Sequence, residues 1–187
     1  MGLVPVAVGW ALLAVALAGC GTSGPGRATG PFAWLKPTAV PVAWNIVHTS
    51  ASAALAFPPG WTPIKADPGA ASVALFGNGE RIVGYLNATP RQGAETLADW
   101  SRFRPRHNRD EGDRSLRVIA ATASGRFRSG AGACVIDSYT TSQASYREIA
   151  CLVSGPGSSA VVVAAAPTEL WTQEAPTLER AVSSFVG

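Results

Sequence analysis

Hydrophobic and polar positions alternate in short runs along most of this chain, and helical spacing shows at two places only. Trp44 to Thr49 alternates as a half-buried strand should. Leu55-Ala56-Phe57 leads into Pro58-Pro59-Gly60-Trp61, a turn that fixes the backbone ahead of Ile64. Ser72–Phe76 predicts a strand, Gly77-Asn78-Gly79 a tight turn and Arg81–Asn87 its partner, Asn-Gly being a strong hairpin signal. Leu116, Val118 and Ala120 alternate again, as do Ala133–Thr140 and Tyr146–Val153, and Val161–Ala164 is a buried run.

The first helical pattern follows Thr89-Pro90-Arg91-Gln92, which predicts a helix start: Thr as N-cap, Pro at the first helical position, Gln three after the cap. Ala94, Leu97, Ala98 and Trp100 supply its apolar face, with Phe103 near the edge, and Pro105 is expected to stop it. At the C-terminal end Trp171, Ala175, Leu178, Val182 and Phe185 form one stripe, which Pro176 is expected to kink or split into two short helices. Strands in runs with few intervening helices predict an α+β fold built on an antiparallel sheet.

Leu3 to Leu17 is apolar throughout, too short to span a bilayer comfortably, and ends in small residues, the pattern of a signal peptide. Leu17-Ala18-Gly19-Cys20 resembles the lipobox of bacterial lipoproteins at all four positions. That resemblance implies cleavage before Cys20 and acylation of its thiol by diacylglycerol and palmitate-type chains, anchoring the protein to the extracytoplasmic face of the cell membrane. Two or three acyl chains, at roughly 0.8 kcal/mol per buried methylene, give stable attachment. Met1 to Leu3 carries no Lys or Arg, which points to a start codon further upstream. Residues 1–19 are therefore read as signal peptide, 20–41 as lipidated N-terminus and Gly/Ser/Thr/Pro-rich tether, and 42–187 as one domain. Phe32 to Pro41 either continue the tether or lie on the domain, because Trp34 and Leu35 need a partner.

An exported chain sits where thiol pairs oxidise, and Cys134 and Cys151 remain once Cys20 is lipidated. Centring the hairpin loop between Ser142 and Gln143 sets Cys134 opposite Cys151 on neighbouring strands, within disulfide reach. The cross-link closes a loop of about 16 residues and is worth about 3 kcal/mol on the chain-entropy model.

Phe57-Pro58-Pro59-Gly60-Trp61, the helix with Trp100, and the closing Trp171, Leu178 and Ser183-Ser184-Phe185 resemble the PsbP-like family. The resemblance spans about Pro41 to Gly187 and implies an antiparallel sheet flanked by helices on both faces, an α/β/α sandwich. It implies a binding or assembly role rather than catalysis, and it carries no site residue onto this chain.

Composition and motifs narrow the function classes. The net charge is +3 over 187 residues, far from the basic stripe of a nucleic-acid binder. His48 and His107 are isolated, and no HExxH, GxSxG, CxxC or phosphate-loop motif is present. No metal, cofactor or catalytic set is expected. Asp110, Glu111 and Asp113 read as a solvated cluster balanced by Arg109 and Arg114. Asp137 interrupts an apolar strand on the Val135 face, opposite Cys134 and Ile136, with Arg147 as its expected partner. More than half of the thirteen arginines lie between Trp100 and Arg128. Trp100, Arg102, Arg104, Arg106 and Arg109 are the candidate binding surface, suited to carboxylate or phosphate on an anionic envelope component or an acidic protein partner. The expected function is a membrane-anchored, non-catalytic binding or assembly module; a carrier or sensor of a hydrophobic small molecule is the alternative, and an enzyme the less favoured one.

Overall fold

The computed structural model describes residues 30–187, so the segment read as a signal peptide, Cys20 and the first part of the expected tether lie outside the described residues. A small ribbon comes first, β1 (Asn45–His48) paired antiparallel with β2 (Ala54–Phe57). The main sheet has seven antiparallel strands: β3 (Thr62–Ile64), β4 (Ala71–Phe76), β5 (Ile82–Pro90), β6 (Arg114–Arg126), β7 (Ala131–Thr140), β8 (Ser145–Ser154) and β9 (Ser159–Pro167). Their spatial order is β3-β4-β5-β9-β8-β7-β6. The fold is the antiparallel α+β arrangement expected from the alternation.

Helix α2 (Trp171–Ser184) covers one face of the sheet. Leu178, Ala181, Val182 and Phe185 bury against Leu86, Ile149, Val162 and the disulfide between Cys134 and Cys151, whose Cα atoms are 4.1 Å apart. The register pairs Cys134 with Cys151 directly. Helix α1 (Trp100–Asp110) covers the other face, and Trp100, Leu97 and Phe103 meet Ala133, Val135, Ala150 and Leu152 there. Trp100 is 1% exposed, and its indole N–H donates to the Ala150 carbonyl at 2.9 Å. Phe32, Trp34 and Leu35 pack against the α2-side core, and the Thr38 amide donates to the Ser183 carbonyl at 3.1 Å. The chain therefore joins the domain well before the expected boundary at residue 42, because these aromatics find the apolar partner they require.

Three local expectations are corrected. Thr89 and Pro90 end β5 instead of starting a helix: they register with Val161 and Ala160 of β9. The cap-like tetrapeptide is also an acceptable strand end, since Pro at the last position forfeits no ladder bond, and pairing with β9 decides between the two. The helix begins at Trp100, after turns in which the Asp99 amide donates to Thr96 Oγ1 at 3.2 Å. Pro105 lies inside α1 and does not end it; the carbonyl deprived of its partner is that of exposed Ser101, where water can serve. Pro176 likewise sits within an unbroken α2, and the freed carbonyl belongs to exposed Thr172.

Candidate functional site

The sheet is wider than one helix. Helix α1 leans over β6, β7 and β8, and on that face β9, β5 and β4 have no helix above them. The result is a cleft of about 550 Å³ beside α1. Strand alternation sets its floor and wall: Val161 and Val163 of β9 lie level with Thr89 and Asn87 of β5, and Tyr85 follows on the same face. Phe103, Arg104, His107 and Asn108 form the helix side, spaced along one stripe of α1.

The β5 wall is knitted by hydrogen bonds. Asn87 Nδ2 donates to Ser72 Oγ at 2.9 Å, Thr89 Oγ1 donates to Asn87 Oδ1 at 2.7 Å, and Tyr85 and Ser72 share a hydroxyl contact of 3.3 Å. On the helix side Phe103 stacks on both Trp100 and His107, with ring centroids 5.7 and 5.9 Å apart.

At the inner end of the cleft a buried ion cluster joins helix to sheet. Glu148 of β8 is fully buried, and Arg104 holds it with a two-pronged pair, Nε to Oε1 at 2.6 Å and a terminal nitrogen to Oε2 at 2.9 Å. Asn108, one turn further along α1, donates to Glu148 Oε1 at 3.3 Å. Asp137 of β7 lies directly opposite Glu148 in the sheet register, is fully buried, and has no hydrogen-bond partner on either carboxyl oxygen. One guanidinium thus serves two carboxyls and is committed to Glu148. Burial first, and the Glu148 charge second, push the Asp137 carboxyl up to about 8 against the weaker pull of Arg104. Burial and Glu148 thus favour the protonated form of Asp137, which brings the cluster toward charge balance. The same burial and the same Glu148 charge hold the Tyr139 phenol well above its ordinary range. Burial opposes the charged form of Arg104, but Glu148 prevails and keeps it firmly protonated.

Asp137 does not meet Arg147, its expected partner. Consecutive strand residues point to opposite faces, so Arg147, registered with Ser138, turns to the α2 side and lies over the Trp171 ring at 5.4 Å. The residue that alternation does bring to Asp137 is Glu148. The candidate binding surface divides in the same way. Trp100 and Arg104 are internal, one holding the helix to β8 and the other neutralising Glu148. Arg102, Arg106 and Arg109 are exposed on the outer side of α1; Arg102 pairs with Asp99 at 2.6 Å, and Arg106 lies over Phe103 at 5.9 Å. Ion pairs among the described residues link Arg81 to Glu169, Arg102 to Asp99 and Arg104 to Glu148. Asp110, Glu111 and Asp113 thus form none with Arg109 or Arg114, and Glu111 and Asp113 face the cleft. His48 is exposed on β1. No three His, Cys, Asp or Glu side chains gather as metal ligands among the described residues, and no described helix is long and apolar enough to cross a membrane.

No protein-family model matches the chain, and no curated protein matches it significantly in sequence. Solved structures do match in shape. The cyanobacterial PsbP protein (CyanoP) of Synechocystis sp. PCC 6803 superposes with a TM-score of 0.56 at 17% identity, covering 87% of this chain and 98% of that one. LpqN of Mycobacterium tuberculosis, described as involved in cell envelope biogenesis, is looser: TM-score 0.48, 13% identity, 76% of this chain and 89% of that one. The first likeness shows the fold, which is PsbP-like, and the fold alone.

Proposed function

We propose that this chain is a lipid-anchored, extracytoplasmic binding module of the bacterial cell envelope, with no chemistry of its own. The observation that carries the reading is the half-covered sheet, which leaves a broad recess beside α1 whose groups are arranged for contact instead of reaction. Thr89, the aliphatic hydroxyl on the cleft wall, gives its proton to Asn87 and not to a histidine or carboxylate base. Asp137, whose carboxyl burial pushes well above the usual range, is sealed beneath the helix and does not line the cleft. The resemblance of Leu17–Cys20 to a lipobox supports the anchor, and the paired Cys134 and Cys151 suit an oxidising compartment.

The basic face belongs to the same reading in reduced form. Arg106 and Arg109, and Arg102 once it exchanges its exposed Asp99 pair, can meet anionic headgroups or an acidic partner at the membrane the lipid selects, each worth about 1 kcal/mol near a negative surface. In flotation with vesicles containing phosphatidylglycerol, the chain from Gly21 to Gly187 is expected to co-float at low salt. Replacing these three arginines by Ser is expected to abolish co-flotation. Equal recovery of both forms removes the basic face from the account.

A further inference from the structure

The cleft and the arginine face carry opposite charge. Four carboxylates reach the cleft from three separate segments: Asp67 between β3 and β4, Glu95 between β5 and α1, and Glu111 and Asp113 beyond α1. Against them stand His107 and Arg104, and Arg104 is already spent on Glu148. An acidic lining alone would mean little, but Glu95 adds an observation of another kind. It is only 5% exposed, its Oε1 accepts the Gln92 amide at 3.2 Å, and its Oε2 is buried with no hydrogen-bond partner. A methyl group on Gly93 would lie 2.7 Å from that oxygen, so the glycine leaves room for it. A buried acceptor without a donor costs free energy unless a ligand supplies one.

From this juxtaposition we infer that the cleft binds an organic ammonium group carried on an aliphatic chain. The head donates to Glu95 Oε2 within the field of Asp67 and Asp113, and the methylenes lie on Val161, Val163 and Phe103. A bare metal ion is a poorer occupant, because no three ligating side chains converge among the described residues, whereas the Val161–Val163 floor suits hydrocarbon. An anionic occupant would face uncompensated carboxylates. The inference names a ligand for the binding module proposed above and rests on that reading.

Isothermal titration of the full chain in nonionic detergent tests it with four probes: cadaverine, Nα-acetyl-lysine methylamide, 1-pentanol and glutarate. Saturable binding is expected from one or both amines and not from pentanol or glutarate. Preference for cadaverine points to free polyamines, and preference for the lysine amide to a protein side chain. Glu95→Gln keeps an acceptor for Gln92 and is expected to weaken amine binding about tenfold or more, the scale of a lost charge-assisted hydrogen bond. Asp113→Asn, on a half-exposed position, gives a second reading should Glu95→Gln lose its far-UV circular dichroism. Absence of amine binding, equal binding of glutarate, or amine affinity unchanged in both variants overturns the inference. None of these outcomes touches the membrane attachment, so its failure and that of the module are separable.

Discussion

Arg104→Ala is expected to cost about 3–5 kcal/mol of folding stability, the usual consequence of removing one partner from a buried ion pair. The loss arises because Glu148 stays fully buried beside Asp137, with only the 3.3 Å contact from Asn108 remaining. The effect should exceed that of Arg102→Ala severalfold, since Arg102 makes an exposed pair that water and salt screen. Denaturant unfolding at neutral pH measures both. Replacing Arg104 and Glu148 together by Met and Leu should recover most of the loss, because the desolvated charge then disappears. A cost below about 1 kcal/mol for Arg104→Ala would mean that water reaches Glu148 and that the cluster does not join α1 to the sheet.

The second large effect belongs to Asp137 and is read in pH. Burial, and then the Glu148 charge, push its carboxyl up from an ordinary 3.8 to about 8 in the folded chain, so between these values the folded state favours a proton that the unfolded chain has lost. This contribution to stability is complete below about pH 4, declines as pH rises, and is gone once pH passes about 8. Stability should therefore fall from mildly acidic to mildly alkaline solution, and Asp137→Asn should flatten that slope. Denaturant midpoints compared across the range decide it. A wild-type slope that survives in Asp137→Asn would assign the pH dependence to another group.

Much of this architecture is legible in the residue pattern, and what is not has identifiable causes. Centring the loop between Ser142 and Gln143 gives the register that joins Cys134 to Cys151. The same centring places Asp137 opposite Glu148, so the signal for the buried pair lies in the hairpin that revealed the disulfide. Arg147 draws attention as a nearby opposite charge, but alternation sends it to the other face. Arg104 reads as one of many surface arginines until its spacing of four from both Trp100 and Asn108 is noticed, a stripe that faces the sheet. Thr89-Pro90 carries a genuine cap pattern, and only pairing with β9, distant in sequence, makes it strand. The cleft is the least legible feature. It arises from the mismatch between a seven-stranded sheet and one helix, and Asp67, Glu95 and Asp113 meet there from segments that no spacing rule connects.

The division of surfaces gives the proposed module its logic. A basic outer helix face would lie toward an anionic membrane, while the acidic cleft opens on the other side of α1, with the buried cluster fixing the helix between them. That logic depends on the lipid. The direct test is mass spectrometry of the N-terminal peptide of the protein recovered from the membrane fraction of expressing bacteria. The account predicts a mature chain beginning at Cys20 and carrying diacylglyceryl on its sulfur, with Cys20→Ala abolishing both cleavage and modification. An unmodified Cys20 within a longer chain would contradict it.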